Sequence, residues 1–240
     1  MAFQGTVYYL AGDRYPADRD VEEAICSRLR PFLPRVRVQE EWLNPSADST
    51  DLATRLDHLA ARLRRAKNVV LIGRSSGARA ATLLASSRKV HAVIGIAYPF
   101  RVPHKVIEPE RFAHLSTMTV PTMLLQGTED EYGGANVTEQ YAFSPAVRVH
   151  LLPGVDHGCQ LSPAGWDAVA TLVLSFINAT SHCPAPGVQW FDESDYLRRY
   201  PDVAAAVTEG HMPSGYVHYM QHGRREGRRF RLHPLPGCFR

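Results

Sequence analysis

Through residues 1–180, short runs of consecutive apolar residues alternate with longer stretches whose apolar positions recur every three or four residues. "TVYYLA" (6–11), "NVVLIG" (68–73), "VHAVIGIAY" (90–98), "TMLLQG" (122–127) and "VRVHLL" (147–152) are the length of strands and rich in residues that favour them. "NVVLIG" is almost wholly apolar, as a strand buried on both faces should be. "RVRVQEEW" (35–42) alternates apolar and polar positions, which is the period of a strand. Between these runs "DRDVEEAICSRLRPF" has helical spacing. "SADSTDLATRLDHLAARLRRA" opens on good capping residues and lines one face with Leu52, Leu56, Leu59 and Leu63. "ARAATLLASS" (78–87) and "GWDAVATLVLSFINAT" (165–180) supply two further helices. Strands separated by helix-length segments predict βαβ units, hence an α/β fold with a mostly parallel six-stranded sheet and helices on both faces.

The texture changes near residue 180. "SHCPAPGVQ" (181–189) reads as a Pro/Gly linker between a first domain, 1–180, and a small α-helical module, 190–240. In that module "WFDESDYLRRYPDVAAAVTEGHMPSGYVHYMQHGRREGRRF" predicts short helices broken at Pro201, Gly210 and Gly223. A piece this small is marginal for independent folding, so docking on the main domain or on a partner is expected.

Composition narrows the possible functions. The chain has 240 residues, 45% of them hydrophobic, which is ample for a core. Its net charge of +3 is too small to imply a nucleic-acid or membrane partner, and much of the excess sits locally in "GRREGRRFR" (223–231). No apolar stretch reaches the roughly 18–20 residues that span a bilayer. Cys26, Cys159, Cys183 and Cys238 lack CxxC spacing, which argues against a zinc site or a disulfide framework. The start "MAFQGTVYYLAGDRYP" has no pattern of an export signal, and with lone cysteines this predicts a cytoplasmic protein.

The candidate chemistry lies where "NVVLIG" meets its helix. Gly73-Arg74-Ser75-Ser76-Gly77 is a G-x-S-x-G pattern between a predicted strand and a predicted helix. Small flanking residues let the helix start at once, so a central Ser75 would project its hydroxyl above the sheet edge. Ser76 would offer its backbone N–H to a developing oxyanion at the helix start. A plain Gly/Ser turn has the same composition, so other residues must decide. A serine needs a base and the base an orienting acid. "GTEDE" after one strand offers Glu129, Asp130 and Glu131, and "PGVDHGC" after the next offers His157. Asp156 adjoins His157 in sequence and is poorly placed to reach its ring. His150 and His91 read as structural, and Cys159 has no strand–turn–helix to present it.

On "LIGRSSGARAA", "PTMLLQGTEDEYG" and "LLPGVDHG", residues 1 to about 180 resemble the α/β-hydrolase superfamily, in particular its dienelactone-hydrolase-like branch. The resemblance implies a minimal hydrolase fold and a triad of Ser75, Asp130 and His157, with Glu129 the fallback acid. It implies a serine hydrolase acting on esters through an acyl-enzyme, without metal or organic cofactor. The second oxyanion donor is expected from "LAGDRYPADRD", at Gly12 or Asp13. This loop departs from relatives with a His-Gly start or a glycine-rich run, having one glycine followed by charges.

The segment "AYPFRVPHKVIEPERFAHLSTMTV" (97–120) is the expected pocket wall, with Tyr98, Phe100, Arg101 and His104 at its start. Tyr132 follows the acid loop, and Arg74 and Arg79 either line the mouth or bridge to acidic neighbours. Arg74, Tyr98, Arg101 and Tyr132 are the candidate substrate contacts. An open site with aromatic and cationic edges suits a short, polar or anionic acyl ester, with a carbohydrate-linked ester as the favoured small-molecule substrate. The tail "FDESDYLRRYPDVAAAV…HYMQHGRREGR" resembles a helical module found beside bacterial glycosyltransferases and surface proteins, and a protein or intramolecular contact is its expected role. Two other readings stay open: a non-catalytic binding or scaffold protein on a hydrolase fold, and an acyltransferase using the same triad.

Overall fold

The structure is a computed structural model describing residues 3–39, 52–182, 192–212, 214–223 and 226–229. The chain divides into two compact units, Met1–Ala185 and Pro186–Arg240.

In the first unit six strands form one sheet in the order β2-β1-β3-β4-β5-β6. They are β1 (Thr6–Leu10), β2 (Val36–Arg37), β3 (Val69–Arg74), β4 (Ala92–Ile96), β5 (Thr122–Gly127) and β6 (Val147–Leu152), all parallel. The three central strands β3, β4 and β5 are buried at every position, which is why their sequences are continuous apolar runs. Strand β2 holds only two residues of the run expected to be a strand over 35–42. Residues 40–42 lie outside the described residues, as do the capping residues expected before Leu52.

Alternation along each strand sends side chains to two apolar layers. On one face Val7, Tyr9, Val70, Ile72, Ile94 and Leu125 meet α1 (Arg19–Leu29) and the long C-terminal helix of this unit, Pro163–His182. On the other, Val69, Leu71, Val93 and Leu124 meet α2 (Leu52–Leu63) and α3 (Ser76–Ser87). A short α4 (Val137–Gln140) precedes β6, and the long helix is α5.

The strand order positions the site. After β1 the chain moves outward to β2, then returns to place β3 on the other side of β1. The loops leaving β1 and β3 therefore part at their carboxyl ends, the crevice where open α/β sheets bind ligands.

In the second unit α6 (Glu193–Arg199), α7 (Pro201–Thr208) and α8 (Gly215–His218) surround buried Tyr196 and Val203. Asp192 caps α6 by accepting from the Asp195 N–H at 2.8 Å, and Pro201 opens α7, where its missing N–H costs nothing. Gly210, at φ 77°, follows the end of α7, and Gly223 ends a π-helical turn begun at Tyr219. These are the breaks expected from the sequence. Arg228 grips Asp202 with two bonds of 2.9 and 2.7 Å and lies over the Tyr200 ring at 4.8 Å. No helix among the described residues is long and apolar enough to cross a membrane.

Candidate active site

A single residue separates the end of β3 from the start of α3. That residue is Ser75, at φ 52° and ψ −121°. A side chain in this region costs on the order of 1–3 kcal/mol, and the surroundings must impose it. Its N–H donates to Ile96 O at 2.9 Å, tying the turn to the end of β4. Glycines close the rest of the space. A Cβ at Gly73 would enter the backbone of Gly77 and Ala78, and one at Gly77 would enter the carbonyls of Leu10 and Ala11. Helix α3 thus rests on the ends of β3 and β1 with no side chain between them.

Three segments bring their polar groups together here. The Ser75 hydroxyl lies 3.0 Å from His157 Nε2, and His157 Nδ1 lies 3.0 Å from both carboxylate oxygens of Asp130. A carboxylate only accepts, so Nδ1 carries the ring proton and Nε2 is left to accept from the serine. Asp130 is 2% exposed, and its oxygens also accept from Gln126 Nε2 at 2.7 Å and from the Tyr132 N–H at 2.8 Å. Glu129, the fallback acid, is exposed and joins the site only through its backbone, whose N–H donates to Val155 O at 3.0 Å. The acid and histidine loops are locked together from β5 and β6. The Thr128 N–H donates to Leu152 O, the Gly154 N–H to Thr128 Oγ1, and a Cβ on Gly127 would collide with Val155 O.

The loop after β1 reaches the serine as expected. Gly12 approaches so closely that a Cβ there would stand 3.3 Å from Ser75 Cβ. Among the described residues no acceptor meets the N–H of Gly12, Asp13 or Ser76, so these donors remain available to a ligand. Asp13 also contributes its side chain, accepting from the Ser76 hydroxyl at 2.5 Å.

The charges in "LAGDRYPADRD" are explained by buried arginines. Arg74, 4% exposed, stands 3.1 Å from Asp18 in a close ion contact that falls short of an aligned hydrogen bond, and it donates to His157 O at 2.9 Å. Arg55, equally buried on α2, donates to Ala11 O and to Ser76 Oγ and lies 3.7 Å from Asp13. The two guanidiniums tie the β1 loop to the elbow and to the histidine loop.

A cleft of about 870 Å³ opens over Ser75 and His157, lined also by Asp13, Arg55, Arg74, Arg79, Arg111, Tyr132 and Asp156. The Tyr132 ring packs on the His157 ring at 4.2 Å between centroids. Two expected substrate contacts need correction. Tyr98 is fully buried beneath the wall, donating from its hydroxyl to Arg111 O at 2.6 Å, because its strand-end position turns it into the core. Arg101 lies outside the lining; its backbone N–H is held by Tyr132 O and its side chain by Glu131 O. Phe100 is likewise core, stacked on Tyr141 at 4.7 Å. Arg74 lines the cleft, but with its guanidinium engaged as described.

Burial pushes the Cys159 thiol up to about 12, which leaves it inert. His91 and His150 are held below their ordinary value mainly by burial, as structural imidazoles. Among the described residues no group of His, Cys, Asp or Glu is arranged to hold a metal ion.

Gln126, Asp18, Arg55 and Arg111 escaped the reading of the sequence. Arg55 left one trace: it falls on the apolar face of its helix, three residues after Leu52 and four before Leu59. A cation on that stripe must find a buried partner.

Comparison with known proteins agrees with this architecture. A family model described as an alpha/beta hydrolase domain matches residues 31–170. Among solved structures, Est1E from Butyrivibrio proteoclasticus superposes with a TM-score of 0.54 at 13% identity, covering 73% of this chain and 89% of its own. A yden-like hydrolase from Pectobacterium atrosepticum gives 0.52 at 22% identity, covering 74% and 92%. A structure from work on the metagenome-derived lipolytic enzymes LipS and LipT gives 0.52 at 12%, covering 74% and 96%. No curated protein sequence matches the chain.

Proposed function

The chain belongs to the alpha/beta hydrolase domain family, and from that premise we propose that it is a serine hydrolase of carboxylic esters with short or polar acyl groups. The observation that carries this reading is the continuous chain of contacts from Ser75 Oγ through the His157 ring to the Asp130 carboxylate. An alcohol so placed becomes a nucleophile, because its proton has an acceptor and the resulting imidazolium faces a buried carboxylate.

Ser75 Oγ attacks the acyl carbon while its proton passes to His157 Nε2. The carbonyl oxygen becomes an oxyanion, held by the Ser76 N–H and by Gly12 or Asp13. Collapse of this intermediate breaks the ester bond, and His157 returns the proton to the departing alkoxide, leaving an acyl-serine. Water then attacks with His157 as base, releasing the acid and restoring Ser75. Asp130 keeps the ring in the tautomer that each step requires, and Gln126 and the Tyr132 N–H keep Asp130 in place.

The lining supports the polar preference. Its arginines and acids offer little to a long alkyl chain. A sugar-linked ester is the favoured natural substrate, with its hydroxyls met by the charged rim. The test is hydrolysis of 4-nitrophenyl esters. Acetate and butyrate should be turned over through Ser75, with palmitate at least about tenfold poorer in kcat/KM. A preference for palmitate would overturn the substrate class, and turnover surviving Ser75→Ala would overturn the mechanism.

A further inference from the structure

Five arginines line the cleft: Arg14, Arg55, Arg74, Arg79 and Arg111. Three stand near a carboxylate and one is open to water. Arg14 is exposed to solvent, Arg55 stands near Asp13, Arg74 contacts Asp18, and Arg111 pairs with Glu108. Arg79 differs. It is partly buried, and no carboxylate among the described residues lies within 4.0 Å of it; like those of Arg55 and Arg74, its Nε is buried without a partner. Its contact is with a backbone carbonyl, that of Glu110, at a long 3.4 Å. Burial and the neighbouring Arg111 charge both lower its pKa, while Glu108 and Glu110 act on it from further away. Among the described residues Arg79 is therefore the partly desolvated guanidinium of the cleft that no carboxylate neutralises.

Its position relates to the reaction centre. The Arg79 N–H donates to Ser75 O, so Arg79 sits just over one helical turn, about 6 Å along the axis, beyond the nucleophile. The acids of the lining belong to other loops. Asp13 already accepts from Ser76, while Glu131 and Asp156 are carried by the acid and histidine loops.

The arginine pair is also fixed from below. Thr82 Oγ1 donates to Arg79 O at 2.9 Å and is itself met by His114 Nε2 at 2.9 Å. Tyr98, the core tyrosine under the wall, donates to Arg111 O at 2.6 Å. His114 is pushed down to about 4 by burial and by Arg79, so at neutral pH it adds no second cation beneath the pair. A partly buried guanidinium on a fixed backbone, with a buried Nε that no acceptor meets, is an arrangement that recognises an oxyanion.

We propose that Arg79, backed by Arg111, is a carboxylate-binding subsite, and that the preferred substrates are half-esters of short dicarboxylic acids, whose free carboxylate rests on Arg79 while the ester carbonyl faces Ser75. One unanswered positive charge matches a carboxylate better than a dianionic phosphate. This inference rests on the serine-hydrolase reading and names its substrate class.

Two measurements test it. In the first, titration calorimetry on the Ser75→Ala chain compares monomethyl succinate with neutral dimethyl succinate. The half-ester should bind about tenfold tighter or more, and adding Arg79→Gln should erase that difference. Arg79→Lys should restore part of it, and Arg111→Gln should reduce it by a smaller factor. The second measurement is the ratio of kcat/KM for 4-nitrophenyl hemisuccinate to that for 4-nitrophenyl acetate. It should exceed about ten and fall towards one in Arg79→Gln. Circular dichroism establishes that each variant is folded, and Arg79→Lys and Arg111→Gln carry the test if Arg79→Gln does not fold. Equal binding of half-ester and diester, or a preference that Arg79→Gln and Arg79→Lys leave intact, overturns the subsite. Turnover of neutral esters through Ser75 with no half-ester preference refutes the subsite alone. Arg79-dependent binding without turnover of any ester refutes the hydrolase reading and leaves the subsite standing.

Discussion

Two loops face each other across the Ser75 hydroxyl, and they are held in place by different physics. The turn after β3 is fixed by absence: Gly73 and Gly77 remove every atom between strand and helix, and Ser75 is forced to φ 52° because nothing else fits. The loop after β1 is fixed by charge. It carries Asp13 and Asp18 and is fastened by Arg55 and Arg74, which arrive from α2 and from the elbow itself. Steric fixation uses neighbours in sequence and leaves a short motif. Electrostatic fixation uses partners far along the chain and leaves almost none.

The largest effect should come from removing what both loops serve. Ser75→Ala should cut kcat on short nitrophenyl esters by about 10³-fold or more in steady-state assays. Breaking the charged side comes next. Arg74→Met should destabilise by about 3 kcal/mol in urea titrations, since Asp18 is left buried without its cation. Asp18→Asn in the same chain should recover part of that loss, as a double-mutant cycle would reveal. Because Arg74 also holds His157 O, the variant should lose kcat more than its KM rises.

On the steric side, Gly77→Ala should cost about 2 kcal/mol by the same titration, because the atoms it meets are backbone carbonyls that cannot step aside. Ser75→Gly sharpens the contrast from the other direction. Relief of the positive φ should raise stability by about 1 kcal/mol while activity disappears.

A separate effect concerns pH. His114 is lowered from 6.5 to about 4, so the unfolded chain takes up its proton first. Its contribution is full above about pH 6.5 and is lost as pH falls towards 4. His91 and His150, also lowered, act in the same direction. The denaturation midpoint should therefore decline over that range, and His114→Gln should flatten part of the decline.

The contrast between the loops also explains what could be read from the chain. Strand runs, helix spacing and the parallel order of elements were legible because burial writes them into local patterns: β5 and β6 span 122–127 and 147–152 as expected. Ser75 and His157 were nameable because each sits in a short motif at a strand end, and the family resemblance singled out Asp130 from Glu129, Asp130 and Glu131; the structure brings the three within hydrogen-bond distance. Gln126 and Asp18 carry no such signature, since their partners are chosen by tertiary approach. Tyr98 and Arg101 failed as substrate contacts for a related reason. Residues just past a strand end point to core or cleft according to the path of the following loop, and composition does not set that path.

The central claim is that Ser75 is an activated nucleophile. Its most direct measurement is reaction of the full chain with a fluorophosphonate, followed by mass spectrometry of the digested protein. The triad predicts one phosphonyl adduct on Ser75, formed in the wild type and lost in both Ser75→Ala and His157→Ala. An unreactive wild type that is correctly folded, or an adduct elsewhere with Ser75 unmodified, would contradict it.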